Sequence, residues 1–288
     1  MTPHVPSHPA PVSPPGGPIP SGLVYVDCAM TAAASSSTSA PPSRPGRRRE
    51  TVIDGKRVKT IDIHAHCAVP KALELMGHKL GGPGLRDDLD MAAAVGVRLG
   101  MMDAQGIDMQ ALSINPNWYE AERDLAVEII GIQNEALAEA CAANPDRFVA
   151  FASVALQFPD LAAEQLVAGV EKYGLRGAAI GGPKFNPFWA KAEELGVLVF
   201  IHPQGDGAPS QLGRRFKGNG YLSNVIGNPL ETTIALHYLI FDGVLERHPN
   251  LKILAVHGGG YLPSYAGRID HAWGARSDSH GQLPHPPT

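Results

Sequence analysis

Residues 60–67 read TIDIHAHC, an apolar and β-branched run that ends on two histidines, His64 and His66. Side chains on a strand alternate faces, so the two imidazoles share one face and Ala65 points the other way. Two more apolar runs end on histidine: VLVFIH at His202 and LKILAVH at His257. Neutral imidazole is a strong ligand for zinc and related ions, and a catalytic zinc commonly has three protein ligands and one open position. HxH supplies two ligands from one rigid element. Taken alone, HxH reads equally well as two hydrogen-bonded histidines at a polar strand end. With His202 and His257 each closing another apolar strand, the pattern points to a divalent metal. The other histidines fall elsewhere. His4, His8, His280 and His285 are in the tails, His78 is in a Gly-rich loop, and His237, His248 and His271 lie on or near helices.

The elements that must carry these groups are short apolar strands alternating with helices. The patterning predicts strands over 58–65, 109–114, 147–155, 176–181, 197–202 and 251–257. It predicts helices over 94–105, 119–143, 160–173, 187–195, 229–247 and 261–274. The long helix has apolar residues at helical spacing and stops at Asn144–Pro145. Near-continuous apolar strands separated by helices make a parallel sheet with both faces covered. An open doubly wound sheet and a (β/α) barrel both fit that pattern, and both bind ligands at the carboxyl ends of their strands. An open sheet concentrates its chemistry at one switch point. Here the histidines end strands one, five and six, which only a barrel brings round a common centre. No Gly-rich phosphate fingerprint follows the first strand. The glycines of HGGG (257–260) read as a tight turn after the strand.

Composition narrows the function classes. The 288 residues carry 24 Lys+Arg and 28 Asp+Glu, a net charge of -4, so no basic surface argues for a nucleic-acid partner. No run approaches the ~18 apolar residues of a membrane span. The three cysteines, Cys28, Cys67 and Cys141, form neither a disulfide framework nor a CxxC site, and a cytoplasmic setting suits them. Residues 1–50 are of another kind. They are rich in proline, carry the tract TAAASSSTSA and end in RPGRRRE. Such a segment buries too little apolar surface to offset its ordering entropy, so it is expected to be disordered, with the folded domain over 51–288.

The segments IDIHAH, PFWAKAEELG, LVFIHP and LERHPNLKILAVHGGGYLPSYAGRIDHAW resemble the amidohydrolase-related (amidohydrolase 2) family, in particular its aminocarboxymuconate-semialdehyde decarboxylase branch. The resemblance runs from about residue 58 to the end. It implies a metal-dependent (β/α)8 TIM barrel, usually with Zn2+ and alternatively Mn2+, that acts on small carboxylates. By the same resemblance, His64, His66 and His202 are metal ligands, and His257 is the catalytic histidine beside the metal. Arg268 in GRI is implied to bind a substrate carboxylate, in dimeric members from the neighbouring subunit. Arg86 in GLRDD falls where a second carboxylate-binding arginine would sit. The chemistry is coherent in itself. A bound dication lowers the pKa of water to about 7, histidine with an ordinary pKa of about 6.5 suits the proton transfer, and arginine forks hold carboxylates.

The chain departs from the family pattern in two places. Six strands are found where a barrel has eight, so the fold is expected to be incomplete, with two free strand edges. The aspartate that completes the family's metal site on strand eight has no counterpart. Asp270 falls on a helix and Asp278 in a polar tail. Strand four also runs almost directly into PKFNPFWA, a shorter connection than the family usually has. The expected function is metal-dependent decarboxylation of a small unsaturated or aromatic carboxylate, by a homodimer when complete. The alternatives are hydrolysis of a lactone, ester or amide, or a non-catalytic fragment of such an enzyme. Residues 1–288 alone are expected to show little or no activity.

Overall fold

The computed structural model describes residues 24–26, 50–77, 91–181, 186–202 and 222–288. Each of the six apolar runs is a strand. They are β4 (Ile61–Ala68), β5 (Met109–Ile114), the pair β6 (Phe148–Ala150) and β7 (Ala152–Ser153), β8 (Gly177–Ile180), β9 (Leu198–Ile201) and β10 (Lys252–Ala255). β6 and β7 are two halves of one run, interrupted at Phe151. The first half pairs in parallel with β5 and the second with β8. The remaining ladders, β4 with β5, β8 with β9 and β9 with β10, are parallel too. The strands therefore follow one another in chain order, as in a barrel-type α/β fold.

The helices between them are α1 (Pro70–Leu75), α2 (Met91–Gln105), α3 (Arg123–Ala143), α4 (Pro159–Glu171), α5 (Asn186–Leu195), α6 (Asn228–Phe241), α7 (Val244–Arg247) and α8 (Leu262–Ala275). They cover one side of the strands in two apolar clusters. Leu112, Phe148 and Cys67 pack with Ile129, Ile130 and Leu137 of α3. Ile180, Val199 and Ile201 pack with Leu166, Trp189 and Leu239 of α4, α5 and α6. The other side of the strands forms a smaller apolar cluster of Ala111, Phe151, Ala179, Phe200 and Val256. Burial on both faces is why β5, β8 and β9 read as near-continuous apolar runs. Neighbouring strands approach closely at Gly177, where φ is +143 and a Cβ would lie 1.8 Å from the carbonyl oxygen of Leu198.

Several elements differ from the sequence expectation, among them α1, which no predicted helix covers. The first strand begins at Ile61, because residues 51–58 form a separate hairpin of β2 (Thr51–Ile53) and β3 (Lys56–Val58). Its turn is Asp54–Gly55, both with positive φ (49 and 74), the two-residue geometry that Asp-Gly favours. The helix expected over 229–247 is two helices, divided where Gly243 takes a left-handed φ of 66. Inside the segment expected to be disordered, β1 (Val24–Val26) pairs antiparallel with β4, with Val26 opposite His66. It covers the edge of β4 that does not face β5, one of the two edges expected to be free.

Candidate metal centre

The ladder between β4 and β5 holds a slip that aims the histidines. Asp62 pairs with Gln110, and then Ala65 pairs with Leu112 and His66 with Ser113. Two residues of β4, Ile63 and His64, thus stand opposite the single Ala111. This is a β-bulge, a device that re-aims side chains and recurs beside active sites. Before it, Asp62 faces the helices and accepts a hydrogen bond from Gln110 Nε2 (2.8 Å), while Gln110 Oε1 accepts one from Arg98 Nε (2.6 Å). After it, Ala65 and Cys67 enter the outer core. His64 and His66 turn to the lumen, where Ala111 and Phe200 lie. The backbone N–H of His64 donates to Asp62 Oδ1 (3.1 Å), which fixes the bulge from behind.

Four imidazoles meet there. His64 and His66 have their Nε2 atoms 2.8 Å apart. The His202 ring from the end of β9 lies 4.6 Å from that of His66 and 4.9 Å from that of His64, centroid to centroid. His257, after β10, lies 5.2 Å from both His64 and His202. β4 and β9 are four strand spacings apart, about 19 Å in a flat sheet at ~4.8 Å each. A contact of 4.9 Å between their histidines therefore requires the sheet to curl as a barrel does. Beneath the histidines the lumen is filled by Phe151 stacked on Phe200 (5.1 Å), and His202 stacks on Phe200 in turn.

His64, His66 and His202 offer ligand atoms that all lie within 4.8 Å of one another. Burial sets their charge. It pushes His66 down to about 3, with help from neighbouring His64, and His202 down to about 2, with His66 next in effect. It lowers His64 as well, against the opposing pull of Asp62. All three are neutral near pH 7, the protonation state that binds metal. His202 is 4% exposed, yet neither ring nitrogen has a hydrogen-bond partner. A buried polar group left unpaired is costly, and here it points at two other imidazole nitrogens. Such a donor set suits a divalent cation of the zinc or manganese type.

The model of the amidohydrolase family matches residues 61–284. The chain belongs to the amidohydrolase family. Its relatives include the gamma-resorcylate decarboxylase of Rhizobium sp. (strain MTP-10005), 36% identical over 196 residues, which are 61% of this chain and 59% of that enzyme. The 2-amino-3-carboxymuconate-6-semialdehyde decarboxylase of Dictyostelium discoideum is 32% identical over 193 residues, 63% of this chain and 52% of the relative. The chain thus spans less than two thirds of the length of these relatives. Among solved structures, a 2,6-dihydroxybenzoate decarboxylase from Rhizobium superposes with a TM-score of 0.58 at 31% identity, covering 74% of this chain and 71% of the other. A dihydroxybenzoic acid decarboxylase from Polaromonas sp. JS666, solved with bound manganese and 2-nitroresorcinol, superposes at 0.59 with 26% identity, covering 75% and 70%.

Within this amidohydrolase-family fold, the four histidines expected from the sequence are brought together. Arg268 lies exposed on α8, and Arg86 falls outside the described residues. Neither acid considered for the missing ligand reaches the histidines. Asp270 accepts hydrogen bonds from the backbone N–H and the hydroxyl of Thr288, and Asp278 pairs with Arg276. Among the described residues, no carboxylate joins the three-histidine group. The short connection after β8 also lies outside the described residues at 182–185. Sequence reasoning missed Ser113 and Thr232, whose hydroxyls meet His66 Nδ1 (3.1 Å) and His257 Nδ1 (2.8 Å). Ser113 sits in a predicted strand, and its alternation with Ala111 could have placed it in the lumen. Thr232 sits in the helix before β10, and nothing in its spacing marks it.

Proposed function

We propose that the protein is a metal-dependent decarboxylase of a small aromatic or unsaturated carboxylate. In this reading Zn2+ or Mn2+ is held by His64, His66 and His202, and His257 carries the proton. The observation that supports it most is the buried three-histidine cluster with the unpartnered nitrogens of His202, in a family whose relatives named above are decarboxylases.

Decarboxylation breaks the carbon–carboxylate bond, releases CO2 and leaves an electron pair on carbon, which must take up one proton. When bound, the metal supplies Lewis-acid polarisation of the substrate's oxygens. The chain's own residues supply the rest. Burial pushes His257 down to about 4, so it is neutral at pH 7 and can take a proton at its unpartnered Nε2 and give it back. The stacked Phe151 and Phe200 give the site an apolar floor. In this reading Arg268, exposed on α8, serves the carboxylate site of a second subunit in a homodimer. Arg86 is assigned a second carboxylate contact from the sequence alone. No helix among the described residues is long and apolar enough to cross a membrane. We assign the enzyme to the cytoplasm instead on its three widely spaced cysteines, which suit a reducing compartment.

A second reading, a fragment that holds metal without turnover, draws on one observation: no described carboxylate joins the imidazoles. The test is to load the full chain with Zn2+ or Mn2+, supply 2,6-dihydroxybenzoate and related arene carboxylates, and measure metal content and CO2 together. Metal with CO2 release supports the decarboxylase. Metal without CO2 favours the fragment, ring opening of a lactone without CO2 favours a hydrolase, and absence of metal overturns the site.

A further inference from the structure

We propose that Thr232 is a positioning residue that holds His257 in its Nδ1–H tautomer, leaving the Nε2 lone pair turned toward the metal cluster. The inference rests on the reading of His257 as the proton carrier of this site. Thr232 lies in the first turns of α6 and is 0% exposed. Its Oγ1 is 3.1 Å from the carbonyl oxygen of Asn228 and 2.8 Å from His257 Nδ1. A threonine hydroxyl has one proton and a carbonyl can only accept. If that proton goes to Asn228, the contact with His257 is closed by a proton on Nδ1.

The neighbouring residue shows the same arrangement with no ambiguity. Thr233 Oγ1 accepts from the backbone N–H of Tyr261 (2.7 Å), which can only donate, and therefore gives its own proton to the carbonyl of Pro229 (2.8 Å). Thr233 thus donates four residues back along α6 and accepts from the 257–261 segment, and Thr232 is spaced in the same way between the Asn228 carbonyl and His257. The segment is seated directly on the helix. At Gly260, with φ of +63, a Cβ would lie 2.3 Å from the Pro229 carbonyl and 2.5 Å from Thr233 Oγ1. His257 itself has a φ of 52, a conformation that side-chain-bearing residues seldom adopt. The two hydroxyls hold it there.

The opposite tautomer fits worse. It would leave an Nε2–H buried and without a partner, on a ring 5.2 Å from those of His64 and His202, where a cation held by them would repel it. It would also take the Thr232 proton from the Asn228 carbonyl. Outer partners of this kind fix the ring orientation and tautomer of histidines at metal sites.

The test is nitrogen-15 NMR of the full chain labelled at histidine, metal-free and with Zn2+, with the His257 signals identified by their loss in His257→Gln. The expected result is a proton on Nδ1 in the wild type and in Thr232→Ser, and a shift toward Nε2–H in Thr232→Val. In parallel, Thr232→Val should lower kcat about 10- to 100-fold with KM and metal content nearly unchanged, and Thr232→Ser should restore it. A wild-type proton on Nε2 overturns the inference, as does a tautomer that Thr232→Val leaves unchanged. Because the tautomer is read without turnover, an inactive wild type with Nδ1–H would count against the decarboxylase reading and not against Thr232.

Discussion

The buried histidine cluster predicts that the metal-free protein loses stability in mild acid. His66 and His202 are 3% and 4% exposed, and burial takes them from 6.5 to about 3 and about 2. Their folded pKa values are depressed, so between those values and 6.5 the unfolded chain binds more protons than the native one. Stability is then full above about pH 6.5 and falls as pH drops through the window. Between pH 7 and pH 5 each histidine gains nearly one proton on unfolding, which takes away about 2 kcal/mol. The pair removes about 4 kcal/mol, a large share of the 5–15 kcal/mol typical of a domain. His64 and His257 are more exposed and are left out of the sum. The assay is urea unfolding with a chelator at pH 7, 6 and 5, followed by circular dichroism and by fluorescence of the buried Trp118 and Trp189. The His66→Gln, His202→Gln double variant should lose most of this pH dependence whatever its stability at pH 7. A wild-type difference below about 1 kcal/mol between pH 7 and pH 5, beyond the error of linear extrapolation, would refute the reasoning.

Three further outcomes are expected. The His64→Ala, His66→Ala double variant removes two of the three proposed ligands, and elemental analysis should find its metal content below about a tenth of wild type; wild-type stoichiometry would remove these residues from the ligand set. His257→Asn should keep wild-type metal content while decarboxylation falls about 10²- to 10⁴-fold, and a loss of metal matching that of the β4 variant would make His257 a ligand. Gly177→Ala should destabilise by about 2–5 kcal/mol, because it combines a disfavoured positive φ with a Cβ against the Leu198 carbonyl, and a melting temperature unchanged from wild type would contradict the close approach of β8 and β9.

The positions of the strands were legible because each reads as a short, mostly apolar run, with β5, β8 and β9 largely buried on both faces. The histidines were legible because they end those runs, where a barrel-type fold gathers its chemistry. What was not legible depends on backbone geometry that composition does not encode. The Asp54–Gly55 turn carried a hairpin signal, but the exposed Val52 and Ile53 gave its strands no alternating pattern, and the run from 58 looked continuous with the next. The break at Gly243 was hidden because apolar residues continue on both sides of it. β1 is three residues long within a proline-rich stretch, too short for periodicity to register. The two arginines were inferred from a motif rather than from an apolar frame; Arg268 lies exposed on α8, and Arg86 falls outside the described residues.

The bulge at Ile63–His64 was equally invisible, since HxH alternates correctly on its own, yet it decides what the site contains. A regular β4 would keep Asp62 on the same face as His64 and His66, as the period of two requires. One inserted residue moves Asp62 to the helix side while the histidines face the lumen. The carboxylate is then held by Gln110 and by the His64 backbone, and it acts on the nearest imidazole through space, raising the pKa of His64 against the effect of burial. The hydroxyls sort the remaining groups. Ser113 lies at hydrogen-bonding distance from His66 Nδ1, which leaves the Nε2 of His66 beside that of His64. Thr232 does the same for His257, on a ring whose nearest neighbours are 5.2 Å away. His202 has no such partner on either nitrogen. It completes the tight group of three, and the fourth ring stands at the side with its outer nitrogen anchored. Ser113 and Thr232 bond the Nδ1 of His66 and of His257 alike, so what sets His257 apart is distance: the ligand atoms that lie within 4.8 Å of one another are those of His64, His66 and His202.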